Sequence, residues 1–308
     1  MPPRARLYRR GMDNRPAGPC PVVVITGAAG GLGAATAELF VDRGWHVVAA
    51  DLTAPSGAGM TSVATDVTDA ASLAALASTV EARHGRLDLL ITFAGVLGIG
   101  PLAEVDPDRV QHVLDVNIMG TVRTVHALFG LVHSSGGRVV LLGSETGPQH
   151  GMPMNGPYAM SKHAVEAYAD SLRRELMFLG IDVVLVQPGP FRTGMTASIR
   201  RRFSESVPPG SLFAAMASVM GDWAAGEDER ASDPALLAEA VWTAGTAARP
   251  RPRYRVRWNL ARMLLDLLPV TLVDRALRRA LGRPIATRQL ELEQAVADAE
   301  AGMNEVSR

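Results

Sequence analysis

Pro21-Val22-Val23-Val24-Ile25-Thr26-Gly27-Ala28-Ala29-Gly30-Gly31-Leu32-Gly33 is the stretch that decides the fold. It opens on an apolar run that stops at a glycine-rich turn. A strand with one wet face alternates apolar and polar residues. An unbroken apolar run suits a strand buried on both faces, as in a parallel sheet. From residue 31 to 43 the spacing becomes helical, with small residues on the helix. Gly27, Gly31 and Gly33 allow a tight turn, close approach of the backbone to a pyrophosphate, and close helix–strand packing. The helix N-terminus, with Leu32 in its first turn, offers free N–H groups and a positive dipole end to phosphates. A glycine-rich turn between strand and helix, near the start of a βαβ unit, points strongly to a dinucleotide site.

The same alternation continues along the chain. Residues 45–50 read as a second buried strand ending at Asp51, and 69–84 as a helix with Asp69 as its N-cap. Residues 87–92 form a third strand, and 107–133 one long helix with Pro107 in its first turn. Strands follow at 138–142 and 181–187, with a helix over 157–179 between them, closed by Gly180. A helix over 234–247 and a short strand at 254–256 complete the series. Such order predicts an α/β fold, a doubly wound parallel sheet of Rossmann type with helices on both faces, in a single domain over 20–257. Residues 194–232 lack a clean period and carry Met and aromatic side chains, including Phe213, Met216, Met220 and Trp223. They read either as a lid over an apolar ligand or as a helical excursion packing its own core.

Asp51 falls eighteen residues after Gly33, at a strand end. A carboxylate there binds both ribose hydroxyls of an adenosine and repels a 2′-phosphate, so NAD is favoured over NADP. Asp66, in Thr65-Asp66-Val67, is placed to reach an adenine amino group.

Lys162 is the only lysine of the chain, the other thirty residues counted with it being arginine. Arginine is a wide, permanently charged fork, whereas lysine is a compact ammonium with a tunable pKa. Tyr158 and Lys162 are i and i+4 on the 157–179 helix and share one face. An ammonium beside a phenol favours the phenolate, so the Tyr158 pKa is expected to fall toward neutrality, where a tyrosine serves as general acid and base.

Composition bounds the partners. The formal net charge is zero and nothing global indicates nucleic acid; no metal site is read. Cys20 is the single cysteine and cannot form an internal disulfide, so a reducing, cytoplasmic location is expected. No stretch of eighteen uninterrupted apolar residues occurs. Residues 1–19 read as a disordered Arg-rich arm, and 258–308 as a helical extension ending in a polar tail from 288. Within it, 258–281 is apolar with basic interruptions, and Pro269 divides it into two short helices. This segment suits packing or a subunit contact, cover for a substrate opening, or peripheral contact with an anionic membrane.

Taken together, the chain resembles the short-chain dehydrogenase/reductase family over about residues 20–257. The motifs are the turn at 26–33, Asp66-Val67, Phe93-Ala94-Gly95, Asn117, Ser144, Tyr158-x-x-x-Lys162 and Pro188-Gly189-x-x-x-Thr193. The resemblance implies that Tyr158 exchanges the hydroxyl proton of an alcohol/carbonyl pair. It implies that Lys162 lowers the Tyr158 pKa and holds the nicotinamide ribose, and that Ser144 steadies the substrate oxygen. Asn117 would hold a water beside Lys162. Thr193 would contact the nicotinamide amide, with Ala94, Gly95, Pro188 and Gly189 also lining the cofactor site. Relatives commonly form homodimers or homotetramers through the helices near 107–133 and 157–179, and some with a similar C-terminal stretch act on retinoids, steroids or other lipophilic alcohols.

Two departures stand out. Phe93 holds a place where the family usually has Asn, and Ser144 lies fourteen residues before Tyr158, one more than is common, with Glu145 at the usual count. A Glu there would repel a developing oxyanion, so Ser144 is the better chemistry. The expected function is an NAD-dependent oxidoreductase acting on a lipophilic alcohol or carbonyl compound. A non-catalytic dinucleotide-binding sensor or scaffold is the alternative, and epimerisation or dehydration of a sugar nucleotide a third reading.

Overall fold

The strand β1 (Val22–Thr26) is buried at every position. The structure is a computed structural model that describes residues 20–55, 57–194 and 198–306. The expected arm at 1–19 lies outside them, as do residues 195–197 of the expected lid. From β1 the chain runs through α1 (Gly31–Asp42), β2 (His46–Asp51), β3 (Met60–Ala64), α2 (Ala70–His84), β4 (Leu89–Thr92) and α3 (Pro107–Leu114). It continues with α4 (Gly120–Ser135), β5 (Arg138–Leu142), α5 (Gly156–Leu176), β6 (Asp182–Pro188), α6 (Ile199–Ser204) and α7 (Ala214–Asp228). The last elements are α8 (Pro234–Thr246), β7 (Arg253–Val256), α9 (Leu260–Leu265) and α10 (Val270–Val306).

The strands pair in the order β3-β2-β1-β4-β5-β6-β7, and every pairing is parallel. In β1, Val24 sits opposite Val48 on one side and Leu90 on the other. Side chains alternate between two cores, which explains the unbroken apolar run. Val22 and Val24 pack with Leu73 and Leu76 of α2, Leu128 of α4 and Val165 of α5. Val23 and Ile25 pack on the other face with Phe40 of α1 and Leu237 and Val241 of α8. This is the doubly wound sheet expected, with the order reversing between β1 and β4, where ligands bind in such folds.

The structure differs from expectation at three elements. The edge strand β3 has no counterpart in the sequence reading: it is short, half-exposed along its length, and follows Gly57-Ala58-Gly59. The long helix expected at 107–133 is two helices joined by a π-helical turn at Asp115–Met119. Of the two short helices expected around Pro269, the second is not short: α10 continues through the polar tail to Val306. Good helix formers and i,i+4 pairs such as Gln289–Glu293 and Gln294–Asp298 carry it. Expectation holds elsewhere: Asp69 caps α2 by accepting from Ala71 N and Ser72 N.

The region expected as a lid forms α6 and α7, whose Ile199, Phe203, Ala217 and Met220 make a satellite core with Ile99, Met154 and Leu281 of α10. Leu212, which precedes α7, is 88% exposed. Among the described residues, no helix is long and apolar enough to cross a membrane.

Gly27 and Gly44 both have φ in the left-handed region, +72° and +77°. A Cβ on Gly27 would lie 2.5 Å from Ala94 N, whereas nothing lies within 4 Å of one on Gly44. Gly44→Ala is expected to cost about 1–2 kcal/mol from backbone strain alone. Gly27→Ala is expected to cost about 1–3 kcal/mol more from overpacking. Urea unfolding of both variants checks the difference, and equal losses would refute the close approach.

Candidate active site

Ser144, Tyr158 and Lys162 meet where β5 ends and α5 begins. Pro157 occupies the first turn of α5, which places Tyr158 at its start and Lys162 one turn later. Ser144 Oγ accepts from Thr146 N at 3.1 Å and donates to Thr146 Oγ1 at 3.2 Å. Its hydroxyl lies near enough to the Tyr158 phenol to favour the phenolate. Ser144 and Glu145 both line the cavity that Tyr158 faces. Lys162 is buried, its Nζ donating to Leu142 O at 3.1 Å and lying 5.6 Å from the Tyr158 ring centroid.

The electrostatic balance differs from expectation. Burial pushes the Tyr158 phenol above its ordinary value, with the carboxylate of Glu145 adding to the rise and the Ser144 hydroxyl opposing it. Burial also brings Lys162 down to about 8. Desolvation works against both charged forms, and the ammonium is directed at a carbonyl, so the expected fall of the phenol toward neutrality is not what these residues produce.

Asn117 sits in the π-helical turn and is buried. Its Oδ1 accepts from Val96 N at 2.7 Å, and its Nδ2 donates to Val96 O at 2.9 Å and Ser161 Oγ at 3.0 Å. Its carbonyl accepts from Thr121 Oγ1 at 2.8 Å. The side chain therefore clamps the segment after β4 to α5 rather than reaching Lys162. A π-turn, which re-aims one residue out of helical register, is the local device that allows this.

The glycine turn and its neighbours form one crevice at the switch point. Gly27 packs on Phe93 and Ala94, Gly95 lies against Asn117 Oδ1, and Gly31 lies near Thr193. A Cβ on Gly33 would fall 2.1 Å from Gly27 O, so Leu32 and Gly33 are drawn tight under the turn. Asp51, at the end of β2, accepts from Ala29 N at 2.9 Å and Leu52 N at 2.7 Å. Asp66 Oδ1 accepts from Thr68 N and Oγ1, which holds the carboxyl below its usual range, and Val67 packs against Gly120. Pro188 ends β6, and Gly189 N donates to Val256 O at 2.8 Å. Phe93 packs in the core, while the hydroxyls of Thr26 and Thr92, opposite each other in β1 and β4, are buried without a partner.

A cavity of about 210 Å³ opens in front of Ser144 and Tyr158. Leu97, Ile99, Phe191, Ile199, Phe203 and Met220 give it apolar walls, and Trp223 adds to them. Its remaining wall carries Glu145, Gln149, His150, Glu227, Asp228 and Arg262. Sequence reading singled out Met220 and Trp223 but not Arg262, which comes from α9. Arg262 meets Glu145 across 117 residues, and no local pattern signals such a pair. Only the basic, apolar character of 258–281 hinted that the segment has work near the site.

Known proteins match this geometry. A sequence profile for the family described as short chain dehydrogenase matches residues 21–203. The chain is 32% identical over 274 residues to retinol dehydrogenase 16 of Rattus norvegicus, covering 82% of this chain and 86% of that one. It is 33% identical over 286 residues to retinol dehydrogenase 5 of Homo sapiens, covering 85% and 89%. It is 30% identical over 272 residues to NADPH-dependent 3-dehydrocapnine reductase of Ornithobacterium rhinotracheale, covering 82% and 94%. A short-chain dehydrogenase from Streptomyces avermitilis shares the fold with a TM-score of 0.70 at 23% identity, over 87% of this chain and 98% of that one. The chain belongs to the short-chain dehydrogenase/reductase family of oxidoreductases.

Proposed function

We propose that this protein interconverts a lipophilic alcohol and its carbonyl compound with NAD(H), Tyr158 exchanging the hydroxyl proton. The observation that carries this reading is the convergence of Ser144, Tyr158 and Lys162 at the end of a largely apolar cavity, next to the glycine turn. Relatives named retinol dehydrogenase support the lipophilic class.

The residues present fit a dinucleotide. The N-terminus of α1 has no side-chain cap and no acidic residue in its first turn, and the packing at Gly27 and Gly33 keeps the backbone bare. Asp51 suits ribose hydroxyls and repels a 2′-phosphate, which supports NAD. When bound, the nicotinamide supplies or accepts the hydride. The chain handles the proton. Ser144 Oγ hydrogen-bonds the substrate oxygen, and the Tyr158 hydroxyl gives its proton to that oxygen during reduction. Burial keeps the phenol protonated at neutral pH, which suits it as a donor. In the other direction the phenol must ionise first, so alcohol oxidation rises as pH moves from neutral to alkaline and carbonyl reduction falls.

Retinoid, steroid and medium-chain alcohols assayed at 340 nm with NAD and NADP test the reading; no cofactor reduction across the panel would sink it. Tyr158→Phe is expected to lower turnover about 10²–10⁴-fold while leaving NADH affinity unchanged. NADH is expected to bind at least about tenfold tighter than NADPH, and Asp51→Asn to narrow that gap, as followed by fluorescence titration. Lys162 gives a further outcome. Its pKa falls from 10.5 to about 8 on folding, so the unfolded chain binds the proton more tightly. Stability therefore rises with pH across that window and is penalised most below it. Lys162→Met is expected to abolish turnover yet stabilise the protein at pH 7 by roughly 1–3 kcal/mol, a gain read by calorimetry that shrinks toward pH 10.

A further inference from the structure

Glu145 directly follows the serine of the site, yet it is only 4% exposed. A buried carboxylate is costly unless its oxygens are paired. Both pairs come from the C-terminal segment: Asn259 N donates to Oε2 at 2.9 Å, and Arg262 Nη1 donates to Oε1 at 3.1 Å. The other arm of the guanidinium, Nη2, bonds Glu227 of α7. Glu145 N in turn donates to Pro188 O at 2.8 Å. One side chain thus ties the loop after β5 to α7 and α9, and all three residues face the same cavity as Ser144 and Tyr158.

The charges around this junction are uneven. Glu145 is on the loop, Glu227 and Asp228 on α7, and Tyr158 on α5, with His150 also on the loop and Asp266, just past α9, accepting from His150 N. Among the described residues lining the cavity, Arg262 is the single arginine or lysine. Lys162 stands behind the phenol and donates to Leu142 O. A reaction that places negative charge on a phenol or a substrate oxygen here develops it beside three carboxylates, and like charge opposes it.

We propose that Arg262 is a positioning residue for the reaction, neutralising Glu145 beside the Ser144–Tyr158 pair, so that the C-terminal segment completes the active site. This rests on the reading of Tyr158 as the proton-exchanging group. A guanidinium is suited to the task because its planar fork holds Glu145 and Glu227 together, which an ammonium does less well. Burial already holds the Glu145 carboxyl above its usual range, with Asn259 and Arg262 opposing the rise. The carboxylate that remains pushes the Tyr158 phenol up.

The test uses the full-length chain and two readouts. The phenol of Tyr158 is titrated by ultraviolet difference absorption, with Tyr158→Phe subtracted to isolate it, and kcat and KM are followed against pH. Arg262→Gln is expected to move the phenol midpoint alkaline by about half a pH unit or more and to lower kcat of alcohol oxidation near neutrality about threefold or more, with a smaller change in KM. Arg262→Lys is expected to lie between the two. Glu145→Gln/Arg262→Gln, which removes both charges, is expected to recover most of the midpoint and of kcat, whereas a merely structural role would leave it as impaired as the single variant. Should Arg262→Gln not fold, Glu145→Gln alone is expected to move the midpoint in the acid direction. An unmoved midpoint, or a double variant as impaired as Arg262→Gln, overturns the proposal. Because the titration needs no turnover, a midpoint that moves in a parent protein inert to every substrate rejects the proposed reaction and upholds the charge assignment.

Discussion

Backbone meets backbone at Gly27, and the rest of the site is arranged around that contact. No side chain fits between the turn after β1 and the strand end at Phe93-Ala94. The two strands on either side of the switch point are therefore held at their closest separation just where the sheet opens into a crevice. Burial of β1 on both faces fixes the turn in place, because Val22 and Val24 belong to one core and Val23 and Ile25 to the other. A residue slipped in register would exchange those faces, but both are apolar, so the strand alone does not set its register. The parallel pairing to β2 and β4, backed by the helices on each side, does.

Beside this rigid crevice lies a group of ionisable side chains whose charged forms the fold disfavours. Lys162 and Tyr158 are both shifted in the direction that burial dictates, and Glu145 is too. Desolvation is the common and largest cause, and at Glu145 it prevails over both Asn259 and Arg262. Such an arrangement keeps the phenol and its surroundings protonated or paired until a substrate and a dinucleotide alter the balance. The cost is carried by the two cores, which reach the site through Phe191 on one side and Val165 on the other.

Much of this was legible in the chain and some was not, for identifiable reasons. The sheet, its helices and the positions of Gly27, Asp51, Tyr158 and Lys162 follow from local patterns: unbroken apolar runs, a glycine turn, an i,i+4 pair; Ser144 came from the family resemblance. The edge strand β3 escaped because half its residues face solvent and its period is weak. The π-turn escaped because a glycine inside an apolar helical pattern, here Gly120, does not by itself tell a π-turn from a continuous helix. The helix after Pro269 was read as short because the chain turns polar from 288, and its pairing to α7 through Arg288 and Asp222 is not visible in sequence. The balance at Tyr158 was misjudged because spacing gives proximity but not burial, and here burial is the larger effect.

The two departures from the family pattern have different physical standing. Phe93 packs within one apolar cluster, and the hydroxyls of Thr26 and Thr92 in the neighbouring strands are buried without a partner. Phe93 needs nothing from elsewhere in the chain. Glu145 is another matter, since a carboxylate at that depth beside a serine and a phenol demands a cation, and the Rossmann-type core offers none on that wall. The cation comes from beyond the last strand, on a helix that also contributes to the wall of the cavity. The glutamate therefore depends on the C-terminal helix: without Arg262 it would stand buried with only the Asn259 N–H to pair it, whereas Arg262 without Glu145 keeps its bond to Glu227.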